Sequence, residues 1–179
     1  MVLAAKDTFQ LAYVAKNLHS AADYFVKRLG VGPFFQIAFE DLEVVYRNKP
    51  VRMNAKIAWG YRGLVEYELI ESDFPHYQDF RSGRDIALHH AMKASETFDA
   101  DLAAYQAMGC EAIFELPATC MRYMDTLYPL GHYTELVNYS YNLAHNRKIL
   151  ERKEAMWKAS VNWDGENPLR PAEFVPFGT

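Results

Sequence analysis

The chain has 179 residues, half of them hydrophobic and 15% aromatic, with a formal net charge of −4. This describes one sizeable core or two small, closely packed modules, and it excludes a disordered chain. The slight acidity offers no basic surface for nucleic acid and no polybasic tract for anionic lipid, and no window approaches the roughly 18 uninterrupted apolar residues of a membrane span.

Phe9 to Ala15 reads as a strand. LHSAADYFVKRLG follows, with Leu18, Ala21, Ala22, Phe25 and Leu29 at helical spacing and Gly30 at the natural stop. GVGPFFQIAF turns into a second strand, which Leu42 to Arg47 prolongs. VRMNAKIAWGY and GLVEYELIE are two more strands, joined through Tyr61, Arg62 and Gly63. In the last of these, alternation puts Leu64, Glu66, Glu68 and Ile70 on one face. Two carboxylates on an inward face would need partners, because an unpaired buried charge is very unfavourable.

A connection from about Asp73 to Asp85, DFPHYQDFRSGRD, reads as a solvated loop or a lid carrying His76, Arg81 and Arg84. The same order of elements then returns. IALHHAMKA is a strand, TFDADLAAYQAMG a helix, and CEAIFEL, ATCMRYMDT and HYTELVNYS three strands, with Cys110 and Cys120 inside predicted strands as inert small hydrophobes. Repetition at this scale is an architecture signal. The predicted fold is α+β: two tandem βαβββ modules, about 8–72 and 86–140, within a domain spanning 1–140. The tail, 141–179, begins as a charged helix to about Lys158, with Leu143, Ile149, Leu150 and Trp157 as an apolar stripe. It ends in an extended, proline-rich strip. Two cysteines and no leader-like N-terminus predict reduced thiols and a cytoplasmic protein.

Matching positions in quasi-equivalent modules meet near a pseudo-two-fold axis. The first strands offer Gln10 and His90, and the last strands offer Glu68 and Glu135. One imidazole, one amide oxygen and two carboxylates suit a borderline or hard divalent cation, which would answer the need for a partner at Glu68. Four protein ligands on a six-coordinate ion leave two positions for water or a chelating substrate. Each residue also has a plain structural reading. Gln10 could be a hydrogen-bonded core residue, Glu68 a salt-bridged one, and a bulge could bring Glu66 inward instead. His89 and His90 are neighbours, so strict alternation sends only one of them inward. His132 reads as a turn residue, and Met92, Met121, Tyr123 and Met124 as core or wall.

FQLAYVAKNLHSAADYFVKRLGVGPFF, LHHAMK, YMDTLYPLGHYTELV and WDGENPLRP together resemble the vicinal oxygen chelate superfamily, the glyoxalase/bleomycin-resistance/dioxygenase group. The resemblance is strong over about residues 8–140. It implies a cup of curled sheets around a divalent metal (Zn, Ni, Co, Mn or Mg), held by Gln10, Glu68, His90 and Glu135, with His90 rather than His89 as ligand. The set is similar to that of glyoxalase I. It differs at two positions from methylmalonyl-CoA epimerases, and it lacks the first histidine of extradiol dioxygenases. The resemblance implies a lyase or isomerase that stabilises an enediolate of a small substrate with vicinal oxygens. Glu135 is the first candidate base and Glu68 the second, and a homodimer is expected. The alternatives are an iron-dependent dioxygenase and a metal-free sequestering protein.

Overall fold

The structure, a computed structural model, describes residues 9–161 and 163–172. It opens with β1 (Phe9–Ala15), α1 (Leu18–Leu29), β2 (Phe34–Tyr46), β3 (Lys49–Arg62) and β4 (Val65–Ser72). After α2 (Pro75–Arg81) come β5 (Ile86–Ser95), α3 (Phe98–Ala107), β6 (Ala112–Leu116), β7 (Met121–Met124), α4 (Leu127–Leu130) and β8 (Tyr133–Asn138). The tail forms α5 (Tyr139–His145), α6 (Arg147–Val161) and β9 (Leu169–Pro171). The architecture is mixed α+β.

The strands make one sheet in the order β3-β4-β1-β5-β8-β7-β6-β2-β9, and β2 also pairs with β3. That extra pairing closes the strands into a ring, a barrel-like cup. Outward from the junction of β1 and β5, which is antiparallel, the order is β4, β3, β2 on one side and β8, β7, β6 on the other. Each junction strand is parallel to its outer neighbour, β1 to β4 and β5 to β8. The β2–β3 ribbon bends where its register shifts between Phe39 and Leu42, at Asp41 with φ 56°. The bend lets two long strands follow the curve of the ring.

Both faces of the sheet are covered. Asn17 starts α1 by accepting a hydrogen bond from the Ser20 N–H at 2.8 Å, and Gly30 ends it at φ 61°. Leu18, Ala21, Ala22 and Phe25 then pack on Phe34, Ala58 and Leu69. Because strands alternate, this layer lies opposite the face bearing Gln10 and Glu68. The inner cluster contains Ala12, Val14, Val44, Met53, Ile70, Phe114, Met121 and Tyr123.

The structure corrects four expectations. The connection after β4 is not a solvated loop, because Pro75 at the first turn starts a helix that buries His76 and Tyr77 inside the ring. Cys110 and Cys120 lie outside the strands. Pro117 opens a short 3-10 turn that ends at Cys120 with φ 48°, and both thiols pack half-buried beside Phe98, Met124 and Leu136. The tail helix breaks at Asn146, whose amide donates to the Ala118 carbonyl and to Asn142 Oδ1, both at 2.9 Å. Leu143 is therefore outside the buried stripe and 51% exposed.

Met156 and Trp157 of α6 pack on Trp59 and Tyr61, and β9 pairs in parallel with the start of β2. The Trp163 ring lies over Gly32, where a Cβ would fall 2.8 Å from it. The tail is thus bound to the ring through α6 and β9. Among the described residues, no helix is long and apolar enough to cross a membrane.

Phe25 is 3% exposed and meets Tyr13, Phe34 and Tyr67 edge-on. Phe25→Ala should lower the unfolding free energy by about 3–5 kcal/mol, read from urea denaturation.

Candidate metal centre

The register of the strands decides which side chains meet. In the parallel β1–β4 pair, Gln10 lies beside Glu66 and Ala12 beside Glu68. Ala12 also lies beside His90 of β5, and Met92, two residues further along β5, lies beside Glu135 of β8. Gln10, Glu68, His90 and Glu135 are all buried, and the structure brings Glu68, His90 and Glu135 into direct contact. His90 Nε2 lies 3.2 Å from Glu68 Oε2 and 3.3 Å from Glu135 Oε2.

The nitrogen sits between the two carboxylates, ion-paired with both but without an aligned hydrogen bond to either. Gln10 Oε1 is buried with no hydrogen-bond partner. Among the described residues, no three His, Cys, Asp or Glu side chains already stand in the geometry of a metal cluster. The separations around His90 are nonetheless those of neighbouring ligands. Donors about 2.1 Å from a six-coordinate ion stand about 3.0 Å apart at right angles.

Gln10, Glu68 and Glu135 line a cavity that opens to solvent. Its walls are apolar, with Phe39, Met53, Trp59 and Met121 from the sheet and Ile149 and Leu150 from α6. Tyr77 and Tyr123 also face it. Burial, and beyond it the Glu68 and Glu135 charges, push both phenols up, so they stay neutral.

Glu66 also lies inside, 1% exposed, but its partners differ from those of Glu68. Gln10 Nε2 and Lys153 Nζ both donate to its Oε1 at 2.6 Å, and the Tyr61 hydroxyl donates to its Oε2. These bonds hold the Gln10 amide with its nitrogen on Glu66 and its oxygen free. Burial pulls the Lys153 ammonium down, yet Glu66, helped by Glu68 and Glu135, outweighs that and holds it above the ordinary lysine value.

The expectation that only one of His89 and His90 faces inward is overturned. The β1–β5 register slips so that Ala12 faces His90 while Tyr13 faces Leu88, leaving His89 in a bulge. Both rings are 0% exposed, with their Nδ1 atoms 2.9 Å apart, and His89 Nε2 lies 3.0 Å from His76 Nε2. Burial and the neighbouring imidazole His90 push His89 well down. Burial and Arg47 lower His76 to about 4. His90 goes the other way. Burial pulls it down, but the Glu135 and Glu68 carboxylates hold it up at about 9.

Sequence reading missed Lys153, His76 and the inward turn of His89. Lys153 had a legible signal. It stands in the helical run Ile149, Leu150, Lys153, Met156, Trp157, a lone cation in an apolar stripe. The bulge at His89 had none. His132 sits at a turn, as expected, with its Nδ1 2.8 Å from the Tyr133 carbonyl oxygen.

In metal-free protein the His90 proton is held more tightly folded, at about 9, than unfolded, near 6.5. Its stabilisation is full below pH 6.5 and is lost as pH rises through 9. Urea unfolding in EDTA should show a loss of up to about 3 kcal/mol across that window, absent in His90→Gln. Lys153→Met leaves Glu66 buried and unpaired and should destabilise by about 3–5 kcal/mol. Adding Glu66→Gln should restore most of that loss in a double-mutant cycle.

Comparison with known proteins agrees with this architecture. Residues 9–122 match the model of the Glyoxalase/Bleomycin resistance protein/Dioxygenase superfamily. No curated protein matches the chain. A hypothetical protein from Bacillus halodurans C-125 superposes with a TM-score of 0.51 at 13% identity, over 72% of this chain and 91% of its own. A Streptomyces coelicolor methylmalonyl-CoA epimerase, solved in complex with 2-nitronate-propionyl-CoA, superposes with a TM-score of 0.50 at 15% identity, over 76% of this chain and 98% of its own. These likenesses are ones of fold. With the family model spanning most of the chain and the ring of strands beneath it, the chain belongs to the Glyoxalase/Bleomycin resistance protein/Dioxygenase superfamily.

Proposed function

We propose that this chain is a divalent-metal-dependent lyase or isomerase acting on a small substrate with two vicinal oxygens. The observation that carries the reading is that Glu68 and Glu135, which line an apolar cavity together with the unpartnered Gln10 Oε1, share the single buried nitrogen His90 Nε2. The four donors come from the first and last strands of two tandem βαβββ modules, about 8–72 and 86–140, in a domain spanning 1–140. In the 141–179 tail, α6 and β9 pack on that domain and α6 walls the cavity, while residues 173–179 lie outside the described residues, and the active form is a homodimer.

Gln10, Glu68, His90 and Glu135 would hold the ion, which when bound would supply Lewis acidity to stabilise negative charge developing on the substrate. Glu135 is the base that takes a proton from the neighbouring carbon and returns it, with Glu68 as the second carboxylate able to do so. The walls of Phe39, Met53, Trp59, Ile149 and Leu150 exclude water and favour a substrate with an apolar or aromatic body. Lys153 adds a fixed positive charge beside Glu66 at the cavity base.

Metal analysis of protein purified without chelator or affinity metal tests the reading. About one divalent ion per chain is expected, and His90→Ala should lose it. Zn, Ni, Co, Mn or Mg would fit the proton-transfer chemistry. Retained Fe together with O2 consumption would favour ring-opening oxygenation instead. No uptake of any of these ions on soaking would sink the metal reading and leave a ligand-sequestering protein.

A further inference from the structure

We propose that His89 and His76 are positioning residues, forming with His90 a chain of imidazoles that fixes the tautomer of His90 and aims its Nε2 between Glu68 and Glu135. The inference rests on the metal reading above. The contacts run His76 Nε2 to His89 Nε2 at 3.0 Å and His89 Nδ1 to His90 Nδ1 at 2.9 Å. All three rings are buried.

Each contact needs one N–H and one lone pair, and a neutral imidazole carries one of each. If His90 Nε2 presents its lone pair to a cation, its proton sits on Nδ1 and is donated to His89 Nδ1. His89 then carries its own proton on Nε2 and donates it to His76 Nε2. His76 is left with its proton on Nδ1. One choice at His90 therefore sets all three rings.

Aromatic packing fixes their planes. His90 lies 4.6 Å from the Tyr123 ring centroid and His89 4.7 Å from that of Phe80. The chain exists only because the bulge turns His89 inward beside His90. A ligating histidine is often oriented by a carboxylate. An imidazole does the same work without adding a negative charge to a base that already holds Glu66, Glu68 and Glu135.

Zn2+ titration against a chelating indicator, with wild type, His89→Leu and His89→Asn, tests the proposal. His89→Leu removes the acceptor for His90 and should weaken binding roughly 10–100-fold. His89→Asn places an amide oxygen close to the lost Nδ1 and should stay within a few-fold of wild type. Histidine 15N NMR of the Zn2+-loaded wild type should show N–H on Nδ1 of His90, Nε2 of His89 and Nδ1 of His76. Wild-type affinity in His89→Leu, equal weakness in the two variants, or a His89 proton on Nδ1 would each overturn the proposal while leaving the metal site standing. Failure of wild type to bind Zn2+ or any other divalent ion would instead remove the metal reading, and this inference with it.

Discussion

The structure depends on compensating buried negative charge. Three carboxylates, Glu66, Glu68 and Glu135, sit inside a ring of apolar strands, where an unpaired charge is far less stable than in water. Each has a cationic neighbour. Glu66 takes Lys153, Gln10 and Tyr61, and Glu68 and Glu135 share His90. The division of labour follows from those neighbours. Glu66 is saturated by hydrogen bonds and serves to orient Gln10, whereas Glu68 and Glu135 share a single cation, His90.

The backbone makes this sharing possible. Closing the ring through β2 and β3 gives every inward side chain a common interior, and the antiparallel junction places β1 and β5 side by side. One bulge at that junction sends two successive histidines the same way. With α2 folded inward, His76 extends the line of rings from the carboxylates toward Tyr46 and Tyr133. A region written as a polar connection thus becomes part of the support for the site.

Much of the fold was legible because period and punctuation are local properties. The helical spacing of Leu18, Ala21, Ala22 and Phe25 ended by Gly30, and the alternation through Glu66 and Glu68, depend on near neighbours in the chain. The four residues singled out for the site are all buried, Gln10 on β1, Glu68 on β4, His90 on β5 and Glu135 on β8. What could not be read depends on distant partners. A register slip at His89 is set by the pairing of β1 with β5, and the inward helix at His76 by the aromatic interior it fills. The break at Asn146 reflects hydrogen bonds to residue 118, far away in sequence. Lys153 lay between these cases, since its stripe was visible but its partner, Glu66, is 87 residues earlier.

The placement of Lys153 also orders events in time. Every strand of the ring leaves the ribosome before α6 does, so a nascent chain can pair β1 with β4 and bury Glu66 before its cation exists. Until the tail arrives, Glu66 lacks the Lys153 ammonium, and the interior of the ring lacks the wall that α6 supplies. Docking of α6, with Met156 and Trp157 against Trp59 and Tyr61, and the pairing of β9 with β2 then dry the cavity and complete its charges together. Maturation of the site is in this sense vectorial, with α6 bringing the cation after the strands that carry the carboxylates.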